Sequence, residues 1–138
     1  MILSRLVYHS ERNPSESLDM KTLLASCTRN NERAMITGML HFNGEAFVQV
    51  LEGGRQEVSA TYHRIAKDPR HVNPIIISFT DVRERLFPQW AMGLHDRNTH
   101  QVDAILLRYF SRASIDPGTV QVESLLDALQ DMAIEIAA

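Results

Sequence analysis

Several things are scarce in this chain of 138 residues, and each scarcity excludes a class of protein. A single cysteine, Cys27, rules out an internal disulfide and any cysteine-rich metal site. Cys27 falls on the apolar face of an expected helix, where it reads as a small packed hydrophobe. No apolar run approaches the ~20 residues that a membrane-spanning helix needs. Basic excess is missing too: the formal net charge is −3, and Lys and Arg are spread along the chain, so no footprint for nucleic acid stands out. The opening Met-Ile-Leu-Ser-Arg-Leu-Val-Tyr lacks a basic region and a cleavage site, which implies a strand, no signal peptide and the cytoplasm. Repeats, low-complexity tracts, G-x-S-x-G, the P-loop and G-x-G-x-x-G are all absent, and Gly53-Gly54 lacks the lysine of a nucleotide loop. None of the six histidines pairs at i, i+4 on a helix, so zinc has little support.

What is present is organised around a hairpin. Two apolar runs, Met35 to Phe42 and Glu45 to Gly53, flank Asn43-Gly44, the dipeptide that suits a tight two-residue turn. Pairing Phe42 with Glu45 sets Leu40 opposite Phe47, Gly38 opposite Gln49 and Ile36 opposite Leu51, all on one sheet face. Gln49 is the anomaly. A buried amide without partners costs roughly 1–3 kcal/mol, and the missing side chain at Gly38 leaves room for something flat, so Gln49 is read as contacting a ligand.

The rest of the chain supplies a frame for this hairpin. Residues 2–8 form an apolar strand, central in its sheet, in which Arg5 needs a partner or an exit to solvent. Ser17 can cap a helix carrying Met20, Leu23, Leu24 and Cys27, ending near Asn30-Asn31, which on their own read as a C-cap. A second helix follows Gly53-Gly54 with Val58, Thr61, Tyr62 and Ile65 on one stripe, and Lys67-Asp68-Pro69 ends it. Ile75 to Phe79 is a strand and Arg83-Glu84-Arg85 a solvated turn. Trp90 to Leu94 is a short fifth strand with Trp90, Met92 and Leu94 on one face. The order β-α-β-β-α-β-β predicts a ferredoxin-like α+β layer: a five-stranded mixed sheet with both helices on one face. Two amphipathic C-terminal helices, one with Val102, Ile105, Leu106 and Tyr109, the other with Val122, Leu125, Leu126, Leu129, Met132, Ala133 and Ile136, cover the other face. The division expected is a core of residues 1–96 and a helical cap of residues 97–138. The cap helices are candidates either for oligomer or effector contact or for purely internal packing.

The polar residues collect at one rim: Tyr8, Asn30, Asn31, Gln49, Arg64, Asp68, Arg70 and His71. Singly, most have structural readings as helix ends, core tyrosine or surface histidine. Glu52 and Asp68 sit at opposite ends of the second helix and cannot form an acid/base pair.

Tyr8-x-Ser10, Asn31-x-x-x-x-Ile36-Thr37-Gly38-x-Leu40, Phe47-x-Gln49-x-Leu51-Glu52-Gly53, Asp68-x-Arg70-His71 and Phe87-x-x-Trp90-x-Met92 occur in order over roughly residues 2–95. Together they resemble the BLUF domain, the blue-light sensor using FAD. The resemblance implies noncovalent FAD between the two helices, sandwiched by Leu23 and Ile65. Asn31 would bond the ring with Asn30 beside it, and Arg64, Asp68, Arg70 and His71 would hold the ring edge or the phosphate and ribose portion. Tyr8 and Gln49 match the photoactive pair: light moves an electron and a proton from Tyr8 to the flavin, and the Gln49 amide rotates or tautomerises. The signal would leave through the fifth strand, where Trp90 and Met92 compete for proximity to Gln49, towards the C-terminal helices and an unidentified effector protein or a homo-oligomer. On this reading the chain is a photosensory module without an output domain. A small flavin-dependent redox enzyme and a cofactor-free ferredoxin-like adaptor are the alternatives.

Overall fold

The computed structural model describes residues 2–96 and 100–137. Its first strand, β1 (Leu3–Arg12), is an interior strand, between β4 and β3, of a five-stranded sheet of order β4-β1-β3-β2-β5. The strand is longer than its apolar core because Arg12 N–H still donates to Glu45 O at 2.8 Å. Arg5 finds its partner in Glu52, a 2.8 Å ion pair. β2 (Thr37–Phe42), β3 (Ala46–Gly54) and β4 (His71–Asp81) complete an antiparallel ladder with β1, while β5 (Gly93–Asp96) joins β2 in parallel. The sheet is therefore mixed, and with α1 (Met20–Ala34) and α2 (Arg55–Ala66) against one face the architecture is the expected ferredoxin-like α+β layer.

Each face buries its own core. Leu6, Tyr8, Leu40, Phe42, Phe47 and Leu51 point towards α1 and α2. Val7, Met39, Val48 and Val50 point the other way, beneath α3 (His100–Tyr109) and α4 (Val122–Ala137). The stripes of these two helices, from Val102 and Ile105 to Leu129 and Met132, are the ones that pack. The limit drawn after residue 96 abuts residues 97–99, outside the described residues. No helix among the described residues is long and apolar enough to cross a membrane.

Several local features differ from the sequence reading. The hairpin register is displaced by two: Phe42 pairs with Phe47, Leu40 with Gln49 and Gly38 with Leu51. The cause is the turn, since only Gly44 takes positive φ (99°), and the Asn43 side chain accepts the N–H groups of Glu45 (2.9 Å) and Ala46 (2.8 Å). Asn43 thus precedes the tight turn. An even displacement keeps every side chain on its face. Gly38 leaves no open space, because a Cβ there would lie 1.9 Å from Val50 O.

The first helix is capped by Asp19 and not Ser17. The Asp19 carboxylate accepts Lys21 N–H (3.1 Å) and Thr22 Oγ1–H (2.9 Å), adding charge where the helix dipole favours it. The helix also runs past Asn30-Asn31, which are no C-cap. It ends in a Schellman turn with Met35 in the left-handed region (φ 56°), where Met35 N–H donates to Glu32 O and Ile36 N–H to Asn31 O. Arg85 is not solvated. It donates to Thr37 Oγ1, Glu52 O and Met35 O at 2.8–2.9 Å and ties the β4–β5 connection to the hairpin.

The fifth strand starts at Gly93, so Trp90 and Met92 precede it and do not alternate as strand residues. Trp90 O accepts Gly38 N–H at 3.1 Å, and the Trp90 ring lies over Gly93, packed with the α3/α4 core. Met92 joins the α1/α2 core. The two side chains are on opposite faces.

Candidate functional site

Between α1, α2 and the sheet lies a cavity of about 220 Å3. All ten residues expected to hold a cofactor line it: Tyr8, Leu23, Asn30, Asn31, Gln49, Arg64, Ile65, Asp68, Arg70 and His71. Alternation along β1 and β3 places Tyr8 and Gln49 on the α1/α2 face, and the antiparallel register makes them direct cross-strand neighbours. Leu23 and Ile65 come from the facing stripes of the two helices.

The floor is polar and buried. Tyr8 and Gln49 are each 2% exposed. Tyr8 Oη–H donates to Gln49 Oε1, and Gln49 Nε2–H donates to Met92 Sδ at 3.3 Å, a weak acceptor. Burial above all, with nearby Cys27, Tyr62 and Asp68, pushes the Tyr8 phenol well above its ordinary range, so it is neutral at pH 7. Tyr62 meets the Tyr8 ring edge-on, centroids 5.4 Å apart.

Asn31, also 2% exposed, donates one amide hydrogen to Ala91 O at 2.8 Å. Its amide oxygen and second N–H have no partner among the described residues. One side chain therefore faces the cavity and grips the backbone between Trp90 and Met92.

At the mouth, Arg70 wraps Asp68, with Nε 3.0 Å from Oδ1 and Oδ2. This bonding holds the Asp68 carboxyl below its ordinary value and raises the guanidinium. Arg64 is exposed beside them and has no ion-pair partner among the described residues. His71 lines the cavity and is bonded within the protein. Ile65 O, 2.6 Å from Nε2, can only accept, so Nε2 carries the proton and Nδ1 accepts Ser10 Oγ–H at 2.7 Å. Both nitrogens are occupied, and His71 lines the cavity with carbon.

Cys27, Ser26, Leu40, Phe47 and Thr61 complete the lining, though none was expected to hold the cofactor. The signal was available: Thr61 precedes Ile65 by one helical turn, and Leu40 and Phe47 share the face of Gln49. Burial raises the Cys27 thiol above its usual range, which keeps it a neutral wall. Glu52 belongs to the other face, where it accepts Arg5, Leu86 N–H (2.9 Å) and Phe87 N–H (2.8 Å) as a structural anchor. The sheet histidines, whose pairing no helical spacing announces, meet across the β2/β5 ladder. His41 Nδ1 is 3.0 Å from His95 Nδ1, and His95 Nε2 is 2.6 Å from Glu135 Oε2. Among the described residues no group of three His, Cys, Asp or Glu could hold a metal ion.

A ferredoxin-like sheet with an apolar, amide-lined slot between its helices defines a module that binds a planar small molecule. The chain belongs to the BLUF family: the model for "Sensors of blue-light using FAD" matches residues 3–93. The blue light- and temperature-regulated antirepressor BluF of Escherichia coli (strain K12) is 31% identical over 114 residues, 82% of this chain and 28% of that protein. The photoactivated adenylate cyclase subunit beta of Euglena gracilis is 38% identical over 93 residues, 65% of this chain and 11% of that protein. The chain thus spans less than a third of these curated relatives. Among solved structures, BlsA in its photo-activated state superposes with a TM-score of 0.86 at 27% identity, covering 96% of both chains. BlrB, a BLUF protein in its dark state, gives 0.76 at 25% identity over 96% of this chain and 97% of that one. FAD is the cofactor of the family, and the slot suits it: apolar walls for the ring, unpaired Asn31 amide atoms for its heteroatoms, and cationic Arg64 at the mouth for phosphate.

Proposed function

We propose that this protein is a blue-light photoreceptor whose switch is the hydrogen-bonded series Tyr8, Gln49, Met92. The observation carrying this reading is that a buried amide at the cavity floor bonds a phenol at one end and, at the other, a thioether one residue before the edge strand β5. FAD held in the slot would supply the light absorption and a one-electron acceptor. Tyr8 supplies that electron, and because its phenol is neutral beforehand, the proton leaves Oη with it along the bond to Gln49; both return in the back reaction. The Gln49 amide has a donor end and an acceptor end, so reversing it turns NH2 towards Tyr8 Oη and C=O towards Met92 Sδ, which has no hydrogen to give. The bond to Met92 is then lost. Met92 is free to shift against Gly93, while Ala91 stays tied to Asn31. Trp90, on the opposite face, feels that shift through the backbone and its contact with Gly93 and does not compete for Gln49. The displacement passes along β5 to α4, and from the C-terminal helices to an effector protein or a second copy of the chain. Leu23, Ile65, Asn30 and Asn31 hold the ring, while Arg64 and the Asp68–Arg70 pair secure the mouth. The chain on this reading is a cytoplasmic sensor, not a catalyst.

The test is a light-minus-dark absorbance spectrum of the FAD-loaded protein. Wild type shows a small, reversible red shift of the flavin band. Gln49→Leu keeps yellow flavin and loses the shift. A normal shift in that variant sinks the mechanism.

A further inference from the structure

The edge strand β5 reaches the cap through one side chain. In the parallel β2/β5 ladder Gly93 stands beside Met39 and His95 beside His41, on the α3/α4 side of the sheet, while Leu94 and Asp96 alternate to the side of Leu40 and Phe42. Gly93 has no side chain to offer, so the contact falls to His95. Its buried imidazole is held at both ends. His95 O, 3.2 Å from His41 Nδ1, can only accept, so His41 Nδ1 carries the proton and shares it with His95 Nδ1 at 3.0 Å. The proton of His95 is thereby left on Nε2, which donates to Glu135 Oε2 at 2.6 Å. Glu135 stands in the last turn of α4, a helix that packs on both β2 and β5.

We propose that the His95–Glu135 bond is the latch by which a displacement of β5 is delivered to the C-terminal turn of α4, with His41 as the positioning residue that keeps the proton on Nε2. The proposal rests on the photoreceptor reading and names the residues that carry its output. A short, charge-assisted hydrogen bond weakens steeply when stretched or bent, so a sub-ångström shift of β5 releases the helix end. Trp90 packs on the same cap by apolar contact, which is non-directional and tolerates sliding. Neither His95 nor Glu135 lines the flavin slot, so the latch can be cut without touching the photochemistry.

The experiment is amide hydrogen–deuterium exchange of FAD-loaded protein, read by mass spectrometry on the peptide covering residues 128–137, in the dark and under continuous blue light. The flavin red shift is recorded on the same samples. Wild type should exchange about threefold faster in the light. Glu135→Ala keeps the helix and the red shift and should bring that ratio to about one. Glu135→Gln, whose amide oxygen still accepts from Nε2–H, should retain the wild-type ratio. Asp131→Ala frees α4 from Arg108 and Tyr109 on α3 without touching β5, and should also retain it. With the red shift present, a light-dependent ratio surviving in Glu135→Ala, an equal loss in Asp131→Ala, or no light response at α4 in wild type overturns the latch alone. Absence of the red shift in wild type overturns the photoreceptor reading and the latch together.

Discussion

Single atoms decide the behaviour of the cavity floor. Tyr8→Phe removes the hydrogen that Gln49 Oε1 accepts at a buried position and should cost about 1–2 kcal/mol of stability while leaving FAD bound. The red shift should vanish, because the electron then has no phenolic proton to accompany it; thermal unfolding and the light-minus-dark spectrum read the two effects apart. These residues were legible in the sequence because a period of two is robust. The hairpin register was displaced by two, yet Gln49 still shared a face with Tyr8, Leu40 and Phe47, since parity and not exact pairing sets the face. The bonds of His71 were not legible. Nothing local says that Ser10 and Ile65 O, 61 and 6 residues away, will take both of its nitrogens.

At the scale of elements, the end of α1 carries a measurable strain. Met35 occupies a left-handed conformation at 73% exposure, so its side chain contributes little packing to offset the roughly 1–2 kcal/mol that an L-residue pays there. Met35→Gly should raise stability by about 0.5–1 kcal/mol, measured by urea unfolding; a loss would show that the side chain packs in a way its exposure hides. Element order, strand count and both helical stripes followed from periodicity. The ends of elements did not, because long-range bonds set them. Asn31 remains helical while bonded to Ala91 O, and β5 begins only after Trp90 O has been taken by Gly38 N–H. That late start reverses Trp90 against Met92, which an assumed strand from 90 to 94 would have kept together.

On the scale of the molecule, the sheet separates two chemistries, and the cap side responds to acid. The folded protein holds His41 at about 4, mainly through burial and next through the facing His95, with Glu135 opposing. Burial lowers His9 as well, against Glu11 and Asp116. Unfolded histidine titrates near 6.5, so between the two values the unfolded chain binds more protons and folding is penalised as pH falls. Stability should be full above about pH 6.5 and decline towards pH 4, by at most about 3 kcal/mol from His41. Urea midpoints between about pH 7.5 and about pH 5 measure this, and His41→Gln should flatten the slope. The position of Trp90 has an experimental dividend. It is the only tryptophan in the chain and packs on the cap side of the sheet, while the slot proposed for FAD opens on the other side. The molecule therefore carries two native dyes, one per face, and the lag between flavin absorbance and indole emission after a flash would clock the passage of the signal through the sheet without any attached label.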